Sequence, residues 1–364
     1  MGVRVVSAPW VLRGAGETSL RDGAVALDGD HVVAVGPAAE LESRFGRVER
    51  LDAVILPALV NAHTHLELSH LAGRISGGEG LPGWIQLLVA TRASHPLPER
   101  ALDDAVLDLE EAGVAAVGEV TNTLAALPAL SRAGVAGTLY HEVFGFSGAR
   151  IEAALTLAHD QRAKAPPPGS GLRIVPSPHA VYSTNPRVLA DLLRAGPASV
   201  HLAEDPAERR FCAEMTGPFA SLMRTLGAVD LRPLGRSPVA VAAPHLHPGA
   251  LAVHCVDLDG EDLAALSASG ATAVLCPRSN LHIGGRLPDL PRLLAAAIPL
   301  AVGTDSLASA PSLAPLAEVA ALATAFPEVP AARLLPLAWN GAAVGAPHVG
   351  RLAAGRAPGV LAAP

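Results

Sequence analysis

From Val54 onward, short apolar runs alternate with Ala/Leu-rich stretches of helical character: VILPALV, VAAVGEV, AGTLYHEVF, LRIVPSPHAV, ASVHLAE, LAVHCV, TAVLCP and PLAVGTD. Strands of a parallel sheet are covered by helices on both faces and therefore read as apolar runs. The alternation of strand and helix specifies β/α units, and eight such units are the number that closes a TIM barrel. Helix punctuation agrees with the count. Asp259-Gly260-Glu261 opens a segment that stops at Gly270, and Asn185-Pro186 opens PRVLADLLRAG, which stops at Gly196. A glycine just past the last helical turn is the expected stop.

The first fifty-odd residues carry a different pattern. VRVVSAPWVL and GAVALDGDHVVAVG, the latter with Gly29-Asp30 at a tight turn, read as antiparallel strands of a small sheet. The final segment, RLAAGRAPGVLAAP, returns to short extended runs that can rejoin that sheet. The expected fold is α/β: a (β/α)8 TIM barrel over residues 57–344 with a small composite β-sandwich domain built from residues 1–56 and 345–364. With 50% hydrophobic but only 3% aromatic residues, the core must be Ala, Val and Leu.

A net charge of −7 and the lack of any Lys/Arg-dense block exclude a nucleic-acid polymer as partner and favour a small molecule. Cys212, Cys255 and Cys276 lie far apart with no CxxC pair, which predicts a reduced, cytoplasmic protein. The longest stretch free of Asp, Glu, Lys and Arg, Ser237 to Val256, holds three prolines and three histidines and is a poor membrane span. Leu- and Ala-rich helices allow a homodimer.

The candidate chemistry lies at the ends of the strand-like runs. His63 and His65 in LVNAHTHLEL, His201 in SVHLAED, His254 in AVHCVDL and Asp305 in AVGTDSL each follow one. Two histidines two apart on an extended strand end point to the same side. Imidazole and carboxylate suit Zn²⁺ or Fe²⁺, with a position left open for water, so the pattern points to hydrolysis. A lone HxH is weak evidence, and the chain carries a second one, His245-Leu246-His247, placed before a strand between Pro244 and Pro248. That pair reads as a solvated loop. Glu204, three residues past His201, is placed to act as a proton shuttle; the competing reading makes it a helix-start carboxylate beside Asp205 and Glu208.

These motifs together resemble the amidohydrolase superfamily, in its aminohydrolase (deaminase) branch: NAHTHLE at Asn61–Glu67, HLAE at His201–Glu204, the His254-Cys255 pair, CPRSN at Cys276–Asn280, GTDS at Gly303–Ser306 and WNGA at Trp339–Ala342. LVNAHTHLELSHL and CPRSNLHIGG are most similar to the aminodeoxyfutalosine deaminases of menaquinone biosynthesis. The resemblance implies one divalent metal per subunit, Zn or Fe, held by His63, His65, His201 and Asp305. It implies Glu204 as proton shuttle, His254 as the group orienting a metal-bound hydroxide, and His179 as a substrate contact. Glu67 is implied as an acceptor for ribose hydroxyls, and Ser279 and Asn280 as lining of the ring pocket. Hydrolytic deamination of an adenine-type nucleoside with release of ammonia follows from these roles. Dinuclear relatives bridge two metals with a carboxylated lysine after strand four; here the only lysine among 27 basic residues is Lys164, outside that strand, which predicts a mononuclear site. The family's C-terminal ADL-type run is replaced by APGVL. Two other readings stay open: another mononuclear reaction on the scaffold (S-adenosylhomocysteine, adenosine or guanine deamination, triazine dechlorination, imidazolone hydrolysis), or a catalytically silent barrel that only binds.

Overall fold

The computed structural model describes residues 2–228 and 231–363. β1 (Arg4–Val11), β2 (Leu20–Asp28) and β3 (His31–Pro37) form an antiparallel meander whose second turn is at Gly29, φ +57°. β4 (Val48–Arg50) and β5 (Val54–Pro57) run parallel to β1. Helix Ala38–Phe45 lays Ala38 and Leu41 on Val5, Ala24 and Ala26, while Val6, Val11, Val25, Val32 and Ile55 gather with Leu352 in a second apolar cluster.

The chain enters the barrel at Ala58. VILPALV, read as one strand, is therefore divided: Val54–Pro57 belongs to the terminal sheet and Leu59–Thr64 to the barrel. Four parallel strands follow in order, β6 (Leu59–Thr64), β7 (Val114–Thr121), β8 (Ala136–Val143) and β9 (Leu172–Pro178). Four more complete the set, β10 (Ala198–Leu202), β11 (Ala250–His254), β12 (Thr272–Leu275) and β13 (Leu300–Val302). The two halves are joined by parallel bridges Ala180–His201 and Thr64–Asp305, giving the (β/α)8 ring. Both joints fall at the C-terminal ends of the strands.

Side chains alternate about each strand with period two. Val60, Ala62, Ala116, Tyr140, Leu251, Val253, Val274 and Ala301 fill the interior together with Val344 and with Ala346 and Val349, which pack here although the sequence reading placed them in the terminal domain. Leu59, Val117, Leu139, Val200, Ala252 and Leu275 join the cluster under the helices. Small interior residues let the strands close tightly, and at Gly118 a Cβ would lie 2.2 Å from the Ala62 carbonyl oxygen. The C-terminal APGVL departure leaves the sheet intact. β14 (Val360–Ala363) pairs antiparallel with β5, Val360 opposite Pro57, because strand pairing uses backbone groups that any apolar run supplies. Among the described residues no helix is long and apolar enough to cross a membrane, and the three cysteines are free and buried.

At Gly303, between the last strand and the first, an added Cβ would lie 2.6 Å from His63 Cβ and 2.7 Å from its backbone nitrogen. Neither atom can move without shifting β6. Gly303→Ala is expected to cost at least about 2 kcal/mol in urea denaturation, as overpacking does. Gly284→Ala, where a Cβ meets nothing within 4 Å, should stay within about 0.5 kcal/mol.

Candidate metal centre and active site

Left-handed backbone marks the strand ends. Ala203 (φ +54°), His254 (+77°), Cys255 (+53°) and Asp305 (+57°) all adopt it, although none is glycine. Such residues cost on the order of 1–3 kcal/mol each and persist where the surroundings hold them, often at functional sites. Here they end β10, β11 and β13 and turn the chain at the top of the ring.

His63, on β6, is fully buried, and its Nε2 lies 3.2 Å from Nε2 of His65. Asp305 Oδ1 is 3.5 Å from His65 Nε2 and 3.9 Å from His63 Nε2. One ring nitrogen from each of His63, His65 and His201 falls within 4.8 Å of the others. His201 places Nδ1 3.0 Å from His254 Nε2, and its Nε2 has no hydrogen-bond partner. Burial, then His65 and the other imidazoles, push His63 well below the usual histidine range. Burial followed by His201 brings His254 down to about 3, and burial brings His179 to about 3 against the pull of Glu142. Burial opposes ionisation of Asp305, but His65, His254 and the Ser279 hydroxyl outweigh it and hold the carboxyl below its ordinary value. Burial lowers His63 and His65 beside an ionised Asp305, the protonation state in which such groups bind a divalent cation, whereas burial of His201 is outweighed by Glu142, which raises it, so cation binding there would displace a proton. One ring nitrogen each from His63, His65 and His201, beside the Asp305 carboxylate, makes a donor set that fits one divalent cation.

Glu204 stands beside this cluster, its side chain 6% exposed and its Oε2 3.4 Å from His254 Nε2. Burial, reinforced by Asp305 and Glu208, raises its carboxyl well above the usual glutamate range. The helix-start role belongs to its neighbours. Asp205 and Glu208 form the capping box of helix Pro206–Glu214, and Glu208 accepts from the backbone N–H groups of Ala203, Glu204 and Asp205. The loop that carries Glu204 is thus pinned from below.

His65, His179, His201, Glu204, His254 and Asp305 open into one cavity of about 540 Å³. Leu81, Trp84, Ile85 and Leu88 of helix Gly80–Ser94, with Leu222 and Met223, supply apolar lining to the same cavity. His179 Nδ1 is 2.5 Å from Ser183 Oγ, and its ring packs 4.4 Å from Phe144 and 4.9 Å from His201.

Three expected substrate contacts lie elsewhere. Glu67 is turned away from the cavity into the loop after β7, where it accepts from the Thr121 hydroxyl, from Thr123 Oγ1 at 2.8 Å and from the backbone N–H groups of Asn122, Thr123 and Ala125. Four of these bonds fall on Oε1, and Oε2 takes the Asn122 N–H with the Arg92 guanidinium 3.9 Å away, which holds the carboxylate in this loop. Ser279 and Asn280, in the first turn of helix Pro277–Gly284, point to the backs of the site residues. Ser279 Oγ donates to Asp305 Oδ2 at 2.6 Å, and Asn280 Nδ2 lies 3.0 Å from His254 Nδ1. The opposite ring nitrogen, Nε2, lies between His201 Nδ1 at 3.0 Å and Glu204 Oε2 at 3.4 Å. His245 and His247, before β11, contact Arg194 and the Gly196 carbonyl, apart from the site. Lys164 is exposed at the end of helix Gly148–Lys164.

Two buried carboxylates escaped the sequence reading. Glu119 on β7 accepts from the Leu66 backbone N–H at 3.1 Å and so fixes the turn directly after His65. Glu142, at the end of β8, lines the cavity 3.5 Å from His201 Nε2. Burial alone would raise its carboxyl, yet His179, His201 and His65 bring it to about 2. The signal was present, since HEV closes an apolar run as HLAE does, but a lone glutamate after a strand carries no motif.

A (β/α)8 barrel with imidazoles and a carboxylate converging at the C-terminal ends of its strands defines a metal-dependent hydrolase. The comparisons carry this to a family. Residues 54–359 match the amidohydrolase family, and residues 23–46 match the imidazolonepropionase-like composite domain of bacteria. The chain belongs to the amidohydrolase family. It is 32% identical over 328 residues to an aminodeoxyfutalosine deaminase of Deinococcus radiodurans, covering 80% of this chain and 73% of the relative. It is 28% identical to a 5-methylthioadenosine/S-adenosylhomocysteine deaminase of Nitratidesulfovibrio vulgaris, covering 85% and 70%. The Helicobacter pylori aminofutalosine deaminase, solved with methylthio-coformycin, superimposes with a TM-score of 0.84 at 22% identity over 98% of this chain and 91% of that one. The protein is a hydrolase of C–N bonds other than peptide bonds, a deaminase of cyclic amidines.

Because Glu67 anchors a loop, its removal should act on stability. Glu67→Ala strands several buried donors and is expected to lower the unfolding free energy by roughly 2–4 kcal/mol. A variant that unfolds like the parent and only raises KM would return Glu67 to the substrate.

Proposed function

We propose that this protein deaminates an adenine-type nucleoside, with 6-amino-6-deoxyfutalosine of menaquinone biosynthesis as the favoured substrate, in the cytoplasm. The observation that supports the reading is that Glu204 and His254, 3.4 Å apart, open together with the histidine cluster into one cavity of about 540 Å³ whose remaining lining is largely apolar. A planar ring would sit against Glu204 and His254, with a less polar substituent on the sugar against the apolar side chains.

His63, His65, His201 and Asp305 would hold one divalent ion, Zn or Fe. The chemistry the ion supplies there is Lewis acidity, which lowers the pKa of a water to about 7. Asp305, held by Ser279 and by Ser309 at 2.9 Å, directs its carboxylate to the same point as the His63 and His65 ring nitrogens. His254, 3.4 Å from Glu204 through Nε2, would orient the attacking oxygen toward the substrate. That oxygen adds to the ring carbon bearing the amine while Glu204 delivers a proton to the adjacent ring nitrogen. The carbon is then tetrahedral. Breaking its bond to the amine releases ammonia, and Glu204 carries the water-derived proton that the leaving nitrogen takes up. His179, which lines the same cavity, would contact the ring.

Glu204→Gln keeps the shape and loses the proton transfer. It is expected to retain metal and substrate affinity and to lose on the order of a hundred- to ten-thousandfold in kcat. Ammonia release coupled to the shift in purine absorbance, measured over a panel, tests the substrate. The highest kcat/KM is expected with aminodeoxyfutalosine, above 5′-methylthioadenosine, S-adenosylhomocysteine and adenosine. Turnover confined to free bases such as guanine or cytosine would overturn the nucleoside reading.

A further inference from the structure

With Glu67 committed to a loop, the carboxylate that faces the ligand space without an assigned task is Glu142. It ends β8, is 7% exposed and borders the cavity. Its Oε2 accepts from Asn122 Nδ2 at 2.8 Å. Asn122 is itself oriented, because Oδ1 accepts from Arg92 Nη1 at 3.1 Å and a guanidinium can only donate. The amide therefore turns its NH₂ to Glu142 and fixes the plane of that carboxylate.

An ionised carboxylate has about four acceptor positions. Asn122 fills one, and the contact with His201 Nε2, at 3.5 Å, is too long to count as a good hydrogen bond. Among the described residues the others have no donor. Buried acceptors are nearly always paired in a working site, so the ligand should bring the donors. We propose that Glu142, held by Asn122 and Arg92, is the specificity-determining residue that accepts both hydroxyls of a vicinal diol on the substrate. This rests on the nucleoside reading above, and it moves sugar recognition from the loop after β6 to the end of β8. A neutral diol fits better than an ammonium group, since Arg92 stands directly behind Asn122 and repels a second cation.

The test compares adenosine with 2′,3′-dideoxyadenosine as competitive inhibitors of the nucleoside turned over best, in zinc-replete protein. Hydrogen bonds to a charged acceptor predict that the parent binds the dideoxy compound roughly ten- to a hundredfold more weakly. In Glu142→Gln, Asn122 selects the new carbonyl oxygen and the amide NH₂ is left facing the cavity. The ratio should fall to within about threefold, with KM for the nucleoside raised far more than kcat is lowered. Asn122→Ala, which frees the carboxylate without removing it, should cut the ratio at least about threefold and serves if Glu142→Gln fails to fold. Equal binding of both compounds by the parent, or full discrimination kept in the variants, overturns the inference and leaves nucleoside deamination standing. A protein that turns over no nucleoside removes both. Zinc is counted throughout, because Glu142, His179 and His201 also lie within reach of one ion. Two equivalents per chain falling to one in Glu142→Gln would assign the carboxylate to a metal instead.

Discussion

The structure depends on the joint between the first and last barrel strands. Asp305 N–H donates to the His63 carbonyl at 3.0 Å, and Thr64 Oγ1 donates to the Asp305 carbonyl at 3.2 Å. Asn61 and Thr304 exchange two further bonds, Nδ2 to Oγ1 at 2.7 Å and backbone N–H to Oδ1 at 3.1 Å, in a fully buried position. These contacts link residues some 240 positions apart in sequence, so they close the ring and complete the site in one event. Breaking them would open the barrel and separate His63 from Asp305 together. That coupling explains why a methyl group is excluded at Gly303, one strand over from the histidine.

Around the joint, one small volume holds acidic groups in opposite states. Asp305 and Glu142 are kept ionised by imidazoles and hydroxyl or amide donors, whereas Glu204, buried against His254 and near Asp305, is driven toward its protonated form. Environments that push like groups apart are how a single pocket offers both an acceptor and a proton donor at neutral pH. The supporting layer sets this difference. Ser279, Ser309 and Asn280 serve Asp305 and His254, and Glu208 holds the Glu204 loop by three backbone N–H groups. Substitutions in this layer will change proton affinities without touching substrate.

Much of this was legible in the sequence for a simple reason: a strand in a parallel barrel is an apolar run, and a site residue is the polar interruption at its end. His63, His65, His201, His254 and Asp305 obey that rule and meet in space. Sequence could not tell which way a loop side chain turns. Glu67, two residues past His65, enters a 3₁₀ turn, Leu66–Leu71, which rotates it toward β7 and away from the cavity. Ser279 and Asn280 sit on a helix start, where the inner face meets the strand ends before it meets ligand. Glu142 was missed because its role is defined by neighbours, Asn122 and Arg92, that lie 20 and 50 positions away. The split of VILPALV follows from Pro57, which ends one strand where hydropathy continues.

The central claim is that the three histidines and Asp305 form a single-ion site on which turnover depends. Chelator-treated protein titrated with Zn²⁺ or Fe²⁺ tests it most directly, with ammonia release followed at each addition. The account predicts no activity in the metal-free protein and a linear rise that breaks at one equivalent per chain. A break at two equivalents, or turnover before any metal is added, would contradict it.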